Sequence, residues 1–242
     1  MDGFVILDKP AGMSSAAAVS RVKRLLERGT KIGHAGTLDP FATGVLLLLI
    51  GRGTKASEKL MDQPKRYDAT IKFGATTSTD DLESPEIVWP AAVEPSLEKL
   101  ESAVAQFAGV ILQRPPVFSA LKISGQPAYK LARGGTPVDL KARAVRIDGM
   151  EILSWRWPLL KIRVDCGRGT YIRAIARDLG EKLSTGGYLT ELRRTRIGAF
   201  DIAGAVTLER LELEGVAPHL RTVSLVDAKH SEQSGQDDQH QG

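Results

Sequence analysis

The chain has 242 residues, 42% of them hydrophobic, which suffices for one large domain or two small ones with an ordinary globular core. Its longest aliphatic run, Val45 to Ile50, falls far below the roughly 20 residues that span a bilayer. "MDGFVILDKP" lacks the basic start and apolar stretch of a secretory signal, and Cys166 is the single cysteine, so a soluble cytoplasmic protein without disulfides or a cysteine-built zinc site is expected. The net charge of +4 hides a concentration: residues 141–196 hold 13 Lys and Arg against 6 Asp and Glu. An excess of this kind points to a polyanionic partner, although a solvated basic face would look the same.

"GFVILDKP" is short, β-rich and closed by a proline, and reads as a buried strand. Ser14 and Ser15 cap a helix expected over 16–28, with Val19, Val22, Leu25 and Leu26 on one face and Gly29 as its stop. "KIGHAGTLDPFATG" is a glycine-punctuated loop feeding an apolar strand at 45–50. A short helix near 54–62 and a strand at 66–74 follow. Residues 76–95 are polar and proline-bearing, a surface excursion. A helix is expected over 96–108, a loop from Pro115-Pro116, and a short helix at 129–133 ended by Gly134-Gly135.

Strands near 143–153 and 159–165 precede a helix at 170–183 striped by Ile172, Ile175, Ala176, Leu179 and Leu183. "LTELRRTRIGAF" reads as one more strand with a basic edge, a weak helix lies near 207–213, and the polar tail 229–242 is expected to be disordered. Strand and helix mix without regular βαβ alternation, which implies an α+β fold with a mixed, largely antiparallel central sheet and flanking helices.

Several chemistries have no motif here: no GxSxG elbow, GxxxxGK[ST] phosphate loop, HExxH or CxxC, and the four histidines lack metal-ligand spacing. Neither a cofactor nor a metal is expected. In "GHAGTLDPFATG", residues 33–44, glycines let the backbone approach a ligand and present His34 and Asp39. An isolated Asp-Pro is an ordinary turn, and a lone histidine is usually bonded to backbone.

The whole segment resembles the catalytic motif of the TruB family of pseudouridine synthases, Gly-His-x-Gly-x-Leu-Asp-Pro-x-Ala-x-Gly. Gly33, His34, Gly36, Leu38, Asp39, Pro40, Ala42 and Gly44 meet its fixed positions. The resemblance continues in order through "GFVILDKPAGMSS", "GRGTKASEKL", "KRYDATIKFG", "PPVFSALKISGQPAYKLARGG", "VDCGRGTYIRAIARDLGEKL" and "LTELRRTRIGAF", over about residues 3–213.

The resemblance implies a pseudouridine synthase catalytic domain over 1–228, a monomer acting on the T arm of tRNA at uridine 55 of the T loop. Asp39 would be the catalytic carboxylate: N1–C1′ must break, the uracil rotate, and C5 bond to C1′. A carboxylate can add to C1′ or to the ring, or can remove the C2′ proton. By resemblance Arg173 pairs with that carboxylate, Tyr67 stacks on the target base and takes part in deprotonating C5, and Lys55, Tyr171 and Leu192 line the pocket. His34 would contact RNA beside the extruded nucleotide. Residues 115–135 resemble a loop that closes over RNA, with Lys122, Lys130 and Arg133 available for phosphates. Arg193 and Arg194 belong to the expected basic RNA surface. Many members end in a small β-barrel RNA-binding module (PUA). The 29 residues after Leu213 are too short and too polar for it, so a full module is not expected.

Two other readings compete. An RNA-binding folding helper would share the basic surface, and a nucleoside hydrolase would need a second carboxylate that the sequence does not offer convincingly.

Overall fold

The computed structural model describes residues 1–119, 121–123, 125–134 and 139–222. The tail 229–242 and the side chains of Lys122 and Arg133 lie outside the described residues. In chain order the elements begin β1 (Gly3–Lys9), α1 (Ser15–Lys23), β2 (Ile32–Ala35), β3 (Thr43–Ile50), α2 (Ser57–Asp62), β4 (Lys65–Phe73), β5 (Ala75–Thr76) and β6 (Ile87–Val88). They continue with α3 (Leu97–Ala105), β7 (Gly109–Gln113), β8 (Lys122–Ile123), β9 (Gln126–Pro127), α4 (Ala128–Arg133), β10 (Arg143–Arg156) and β11 (Leu159–Cys166). Last come α5 (Ile172–Lys182), β12 (Gly187–Ile197), β13 (Phe200–Asp201), β14 (Val206–Thr207) and α6 (Leu208–Glu214). The chain divides into two compact units, Met1–Lys65 with the chain from Arg193 onward, and Arg66–Leu192.

In the first unit β1 and β3 pair antiparallel from Gly3↔Ile50 to Lys9↔Gly44, with β14 parallel on the far edge of β1. Val5, Leu7, Leu46, Leu48 and Ile50 pack against Ala18 and Val22 of α1 and Leu208 and Leu211 of α6. On the opposite face Phe4, Ile6, Val45, Leu47 and Leu49 meet Leu60, Ile197 and Phe200. A strand buried on both faces cannot alternate polar with apolar residues, which is why β3 reads as an unbroken aliphatic run. Each fully buried leucine there contributes about 1.5–3 kcal/mol.

The second edge of β3 is shared. Its C-terminal half pairs with β2 (Ile32↔Ile50 to Ala35↔Leu47), and its first residues pair in parallel with β12 (Arg193↔Thr43, Arg194↔Gly44). The chain between β2 and β3 therefore leaves the sheet where one neighbour ends and the other begins.

In the second unit the strand order is β12-β4-β11-β10-β7, with antiparallel β10–β11 and β10–β7 pairs. Tyr67, Ala69, Ile71 and Phe73 of β4 and Leu160, Ile162, Val164 and Cys166 of β11 are buried. The alternate residues make ion pairs, Arg66 with Asp165 and Arg163 with Asp68, each at 2.8 Å. Helix α5 buries the expected stripe, and a Cβ on its Gly180 would lie 2.3 Å from the Gly186 carbonyl carbon, so only glycine allows this approach.

The α+β class and the largely antiparallel sheet are as expected, with four local corrections. Helix α1 ends at Lys23 rather than 28, because the amides of Arg24, Leu25 and Leu26 bond carbonyls three residues back. That tightened turn carries Leu25 and Leu26 onto the core. The expected loop before β3 contains the strand β2. Residues 76–95 are not all surface: Thr77, Thr79 and Asp81 are buried. Finally, β12 carries no simple basic edge, since its Arg194 is 1% exposed.

Candidate active site

In the first unit residues 36–42 bridge β2 and β3 and carry Asp39, which is half-buried. Side chains from elsewhere anchor this loop through its backbone. The Ser15 hydroxyl accepts from the Leu38 amide at 2.8 Å and donates to the Leu38 carbonyl at 3.1 Å. Lys9, fully buried, donates from Nζ to the carbonyls of Pro10 (2.8 Å), Met13 (2.6 Å) and Pro40 (3.3 Å). Arg194 donates to the carbonyls of Val45 (Nε, 2.8 Å), Gly36 (Nη2, 2.9 Å) and Thr37 (Nη1, 3.4 Å). Gly44 closes the loop at φ +102°, and a Cβ there would lie 2.2 Å from the Arg194 carbonyl oxygen.

Two cations thus sit against the loop of Asp39. Burial pushes the Lys9 ammonium down to about 8; the Asp39 carboxylate opposes that shift and Arg194 adds to it. His34 on β2 has its pKa lowered by burial and then by Arg194, so its imidazole is neutral. Its Nδ1 is buried and meets no hydrogen-bond partner among the described residues. Arg193 donates to Asp8 Oδ2 at 2.7 Å and to Thr43 Oγ1 at 3.2 Å, and Lys55 stands exposed in a 3₁₀ turn after β3.

Arg194, expected at an RNA surface, is instead buried among the loop's own carbonyls. Arg194→Met should leave those acceptors unsatisfied and lower unfolding stability by about 2–3 kcal/mol, read by urea denaturation. Arg194→Lys should recover only part of this, since one ammonium cannot reproduce the guanidinium fork.

In the second unit Tyr67 is 8% exposed on the buried face of β4, and Leu192 is 7% exposed. Arg173, in the first turn of α5, is also buried. It pairs with Asp81 Oδ2 at 3.1 Å and donates to the carbonyls of Thr79 and Phe118, each at 2.9 Å. Asp81 is itself fixed, its Oδ1 accepting from Thr79 Oγ1 at 2.6 Å and from the Glu83 amide at 2.9 Å. One turn on, Arg177 pairs with Asp80 at 2.9 Å and donates to the Arg114 carbonyl at 2.8 Å. Burial raises the Asp80 carboxyl to about 6 against the pull of Arg177 and Arg173.

Tyr171 caps α5 without a side-chain bond. Its amide and carbonyl are matched by the Gln113 side chain at 2.8 and 3.1 Å, and the Arg143 guanidinium lies 5.3 Å from its ring centre. Lys130 is exposed on α4.

Sequence reasoning missed Lys9, Ser15, Asp81 and Gln113 as parts of these arrangements. Ser15 looked like a second cap beside Ser14, which alone accepts from the helix, at Ala17. Asp81 had no readable signal: residues 76–81 are polar at every position, and the burial of Thr77, Thr79 and Asp81 comes from packing rather than from an apolar period. Among the described residues no His, Cys, Asp and Glu cluster is placed to hold a metal ion, and no helix is long and apolar enough to cross a membrane.

Residues 23–172 match the TruB family pseudouridylate synthase N-terminal domain, and 173–221 match the tRNA pseudouridylate synthase B C-terminal domain. Both descriptions define one class of enzyme, isomerases of the pseudouridylate synthase type. The chain is 46% identical over 228 residues to the tRNA pseudouridine synthase B of Aromatoleum aromaticum, covering 94% of this chain and 73% of that protein. It is 48% identical over 217 residues to that of Corynebacterium diphtheriae, covering 87% and 72%. The chain belongs to the TruB family.

Among solved structures, a chain of a Cbf5-Nop10-Gar1 complex superposes with TM-score 0.67 at 29% identity, over 86% of this chain and 53% of that one. A chain of an H/ACA RNP bound to a substrate RNA containing 2′-deoxyuridine gives 0.64 at 25% identity, over 98% and 56%. This chain thus spans about half the length of those two.

Proposed function

We propose that this protein isomerises uridine to pseudouridine in tRNA, at uridine 55 of the T loop, and does so as a monomer with Asp39 as catalytic carboxylate. The observation that carries this reading is the Asp39 loop, whose backbone is held by Lys9, Ser15 and Arg194 in a chain of this family. The tRNA substrate is supported by the names of its relatives.

The target nucleotide leaves its stack, since C1′–N1 is unreachable within it. Asp39 then adds to C1′ or the ring, or takes the C2′ proton. N1–C1′ breaks, the uracil turns, C5 bonds to C1′, and the hydrogen on C5 departs as N1 gains one. Tyr67 stacks on the base and assists loss of the C5 proton. The Arg173 guanidinium keeps the catalytic carboxylate ionised. Lys55, Tyr171 and Leu192 line the pocket, and neutral His34 contacts RNA beside the base. Lys122, Lys130, Arg133 and Arg193 meet phosphates, and residues 115–135 close over the RNA. Arg194 is better read as an anchor of the Asp39 loop than as a phosphate ligand.

The test is release of tritium from C5-labelled uridine in unmodified tRNA, with EDTA present and no added nucleotide, followed by mapping of the product. Release confined to the T loop is the expected result. Failure on several tRNAs that the protein binds would overturn the isomerase reading, and product elsewhere would overturn the T-loop assignment.

Lys9 makes turnover pH-dependent. An ordinary lysine keeps its proton to about 10.5, whereas Lys9 in the folded chain gives it up near 8. Between those values the unfolded chain holds the extra proton, so the Lys9 contribution to stability increases with pH across that window. The ammonium that holds the Pro40 carbonyl is lost over the same range. Turnover at saturating tRNA should therefore fall as pH rises through about 8, with no accompanying drop in unfolding midpoint. Lys9→Met should be slower throughout and lack that alkaline limb.

A further inference from the structure

The second unit carries a surface that the isomerase chemistry does not use. Between Lys72 and Lys99 the chain has no basic residue, while Asp80, Asp81, Glu83, Glu86, Glu94 and Glu98 all fall there. In a protein of positive net charge this segment is acidic throughout. It also holds six exposed large apolar side chains: Leu82 (50%), Ile87 (62%), Val88 (70%), Trp89 (37%), Val93 (75%) and Leu97 (52%).

These side chains stand on a built aromatic base. The Trp89 amide bonds the Gly74 carbonyl at 2.9 Å, and the neighbouring Phe73 amide bonds the Pro158 carbonyl at 2.9 Å. The β6 ribbon is thereby joined to the turn between β10 and β11. Phe73 stacks on Trp157 (6.5 Å between centres, 9° between planes) and meets Trp155 edge-on at 5.8 Å. All three tryptophans of the protein lie on these two joined segments, and Leu159, after the same turn, is 42% exposed. Exposed aromatic and aliphatic side chains in one place, on a rigid base, mark interaction surfaces rather than ordinary solvated ones.

We infer that this patch docks a protein whose contact surface has an apolar centre and a Lys/Arg rim. The charge decides the class of partner. Asp80 and Asp81 are taken up by Arg177 and Arg173, and Glu86 by Lys72. The charge the segment offers a partner is therefore that of the exposed Glu83, Glu94 and Glu98, which disfavours a phosphate backbone as the occupant. A basic rim meets Glu83, Glu94 and Glu98 while its apolar residues cover Ile87, Val88 and Trp89, and charge complementarity of this sort sets partner choice and encounter rate.

A helical peptide with one leucine face and one lysine face is the probe, with a leucine/glutamate twin as its control. Because every tryptophan lies on these two segments, intrinsic fluorescence of the intact protein reports binding there. The lysine peptide should give a saturable blue shift, weakened by salt, and the glutamate twin should give none. Ile87→Ser with Val88→Ser, two exposed substitutions, should leave melting temperature and tritium release unchanged and weaken the lysine peptide by about tenfold or more. Equal binding to that variant, an unmoved emission spectrum, or equal binding of the glutamate twin would overturn the proposal. So would sedimentation as a dimer that the same two substitutions dissociate, which would make the occupant a second copy. Loss of tRNA affinity in the variant would likewise overturn it, by placing RNA on the patch.

Discussion

Asp39→Asn should make isomerisation undetectable while leaving tRNA affinity within about tenfold, roughly 1.4 kcal/mol. The substitution removes the negative charge and the nucleophile at almost constant volume. What positions residues 36–42 is mostly backbone: Ser15 on Leu38, Lys9 on Pro40, Arg194 on Gly36 and Thr37. None of those bonds uses the carboxylate, so the loop should keep its course in the variant. Lys9 loses an opposing charge that now keeps its proton on, so its pKa should drop further. Uridine and pseudouridine have equal mass, and tritium release from C5 is the readout that separates them. Retained release by Asp39→Asn would eliminate the proposed role. Loss of release together with loss of tRNA binding would mean that the charge mattered for recognition rather than chemistry.

The sequence made the core legible where pattern and period are local. The unbroken run 45–50 announced a strand covered on both faces, and the stripe of α5 announced one buried face. It also displayed the Asp39 loop, because glycine spacing is local too. What it hid depends on pairing between distant segments. Nothing near Arg194 states that β12 lies beside the start of β3, where carbonyls of 36, 37 and 45 converge and a buried guanidinium becomes satisfied. Likewise 76–95 has the composition of a solvent loop, and only the approach of α5 turns Asp81 into the buried partner of Arg173. Helix α1 fell short of its expected end for a packing reason: Leu25 and Leu26 reach the core by leaving the helix.

That Arg173–Asp81 pair sets the second large effect. Its side chains are 4% and 2% exposed, so neither charge is relieved by water when its partner is removed. Asp81→Leu should destabilise the protein by about 3–5 kcal/mol, because a buried guanidinium loses its carboxylate. Against a typical total of about 5–15 kcal/mol, this is a large fraction. Arg173→Met should also destabilise, leaving Asp81 and the Thr79 and Phe118 carbonyls without that donor. The double variant should be much less damaged than the sum of the two, since neither partner is then left facing the gap of the other. Urea unfolding of the four proteins gives the coupling directly, and strict additivity would mean that the pair does not act as a unit. Turnover separates the structural role from the catalytic one. If Arg173 serves the reaction, tritium release should stay absent in the double variant even where stability is recovered. Recovery of release along with stability would reduce Arg173 to a structural ion pair and remove it from the proposed chemistry.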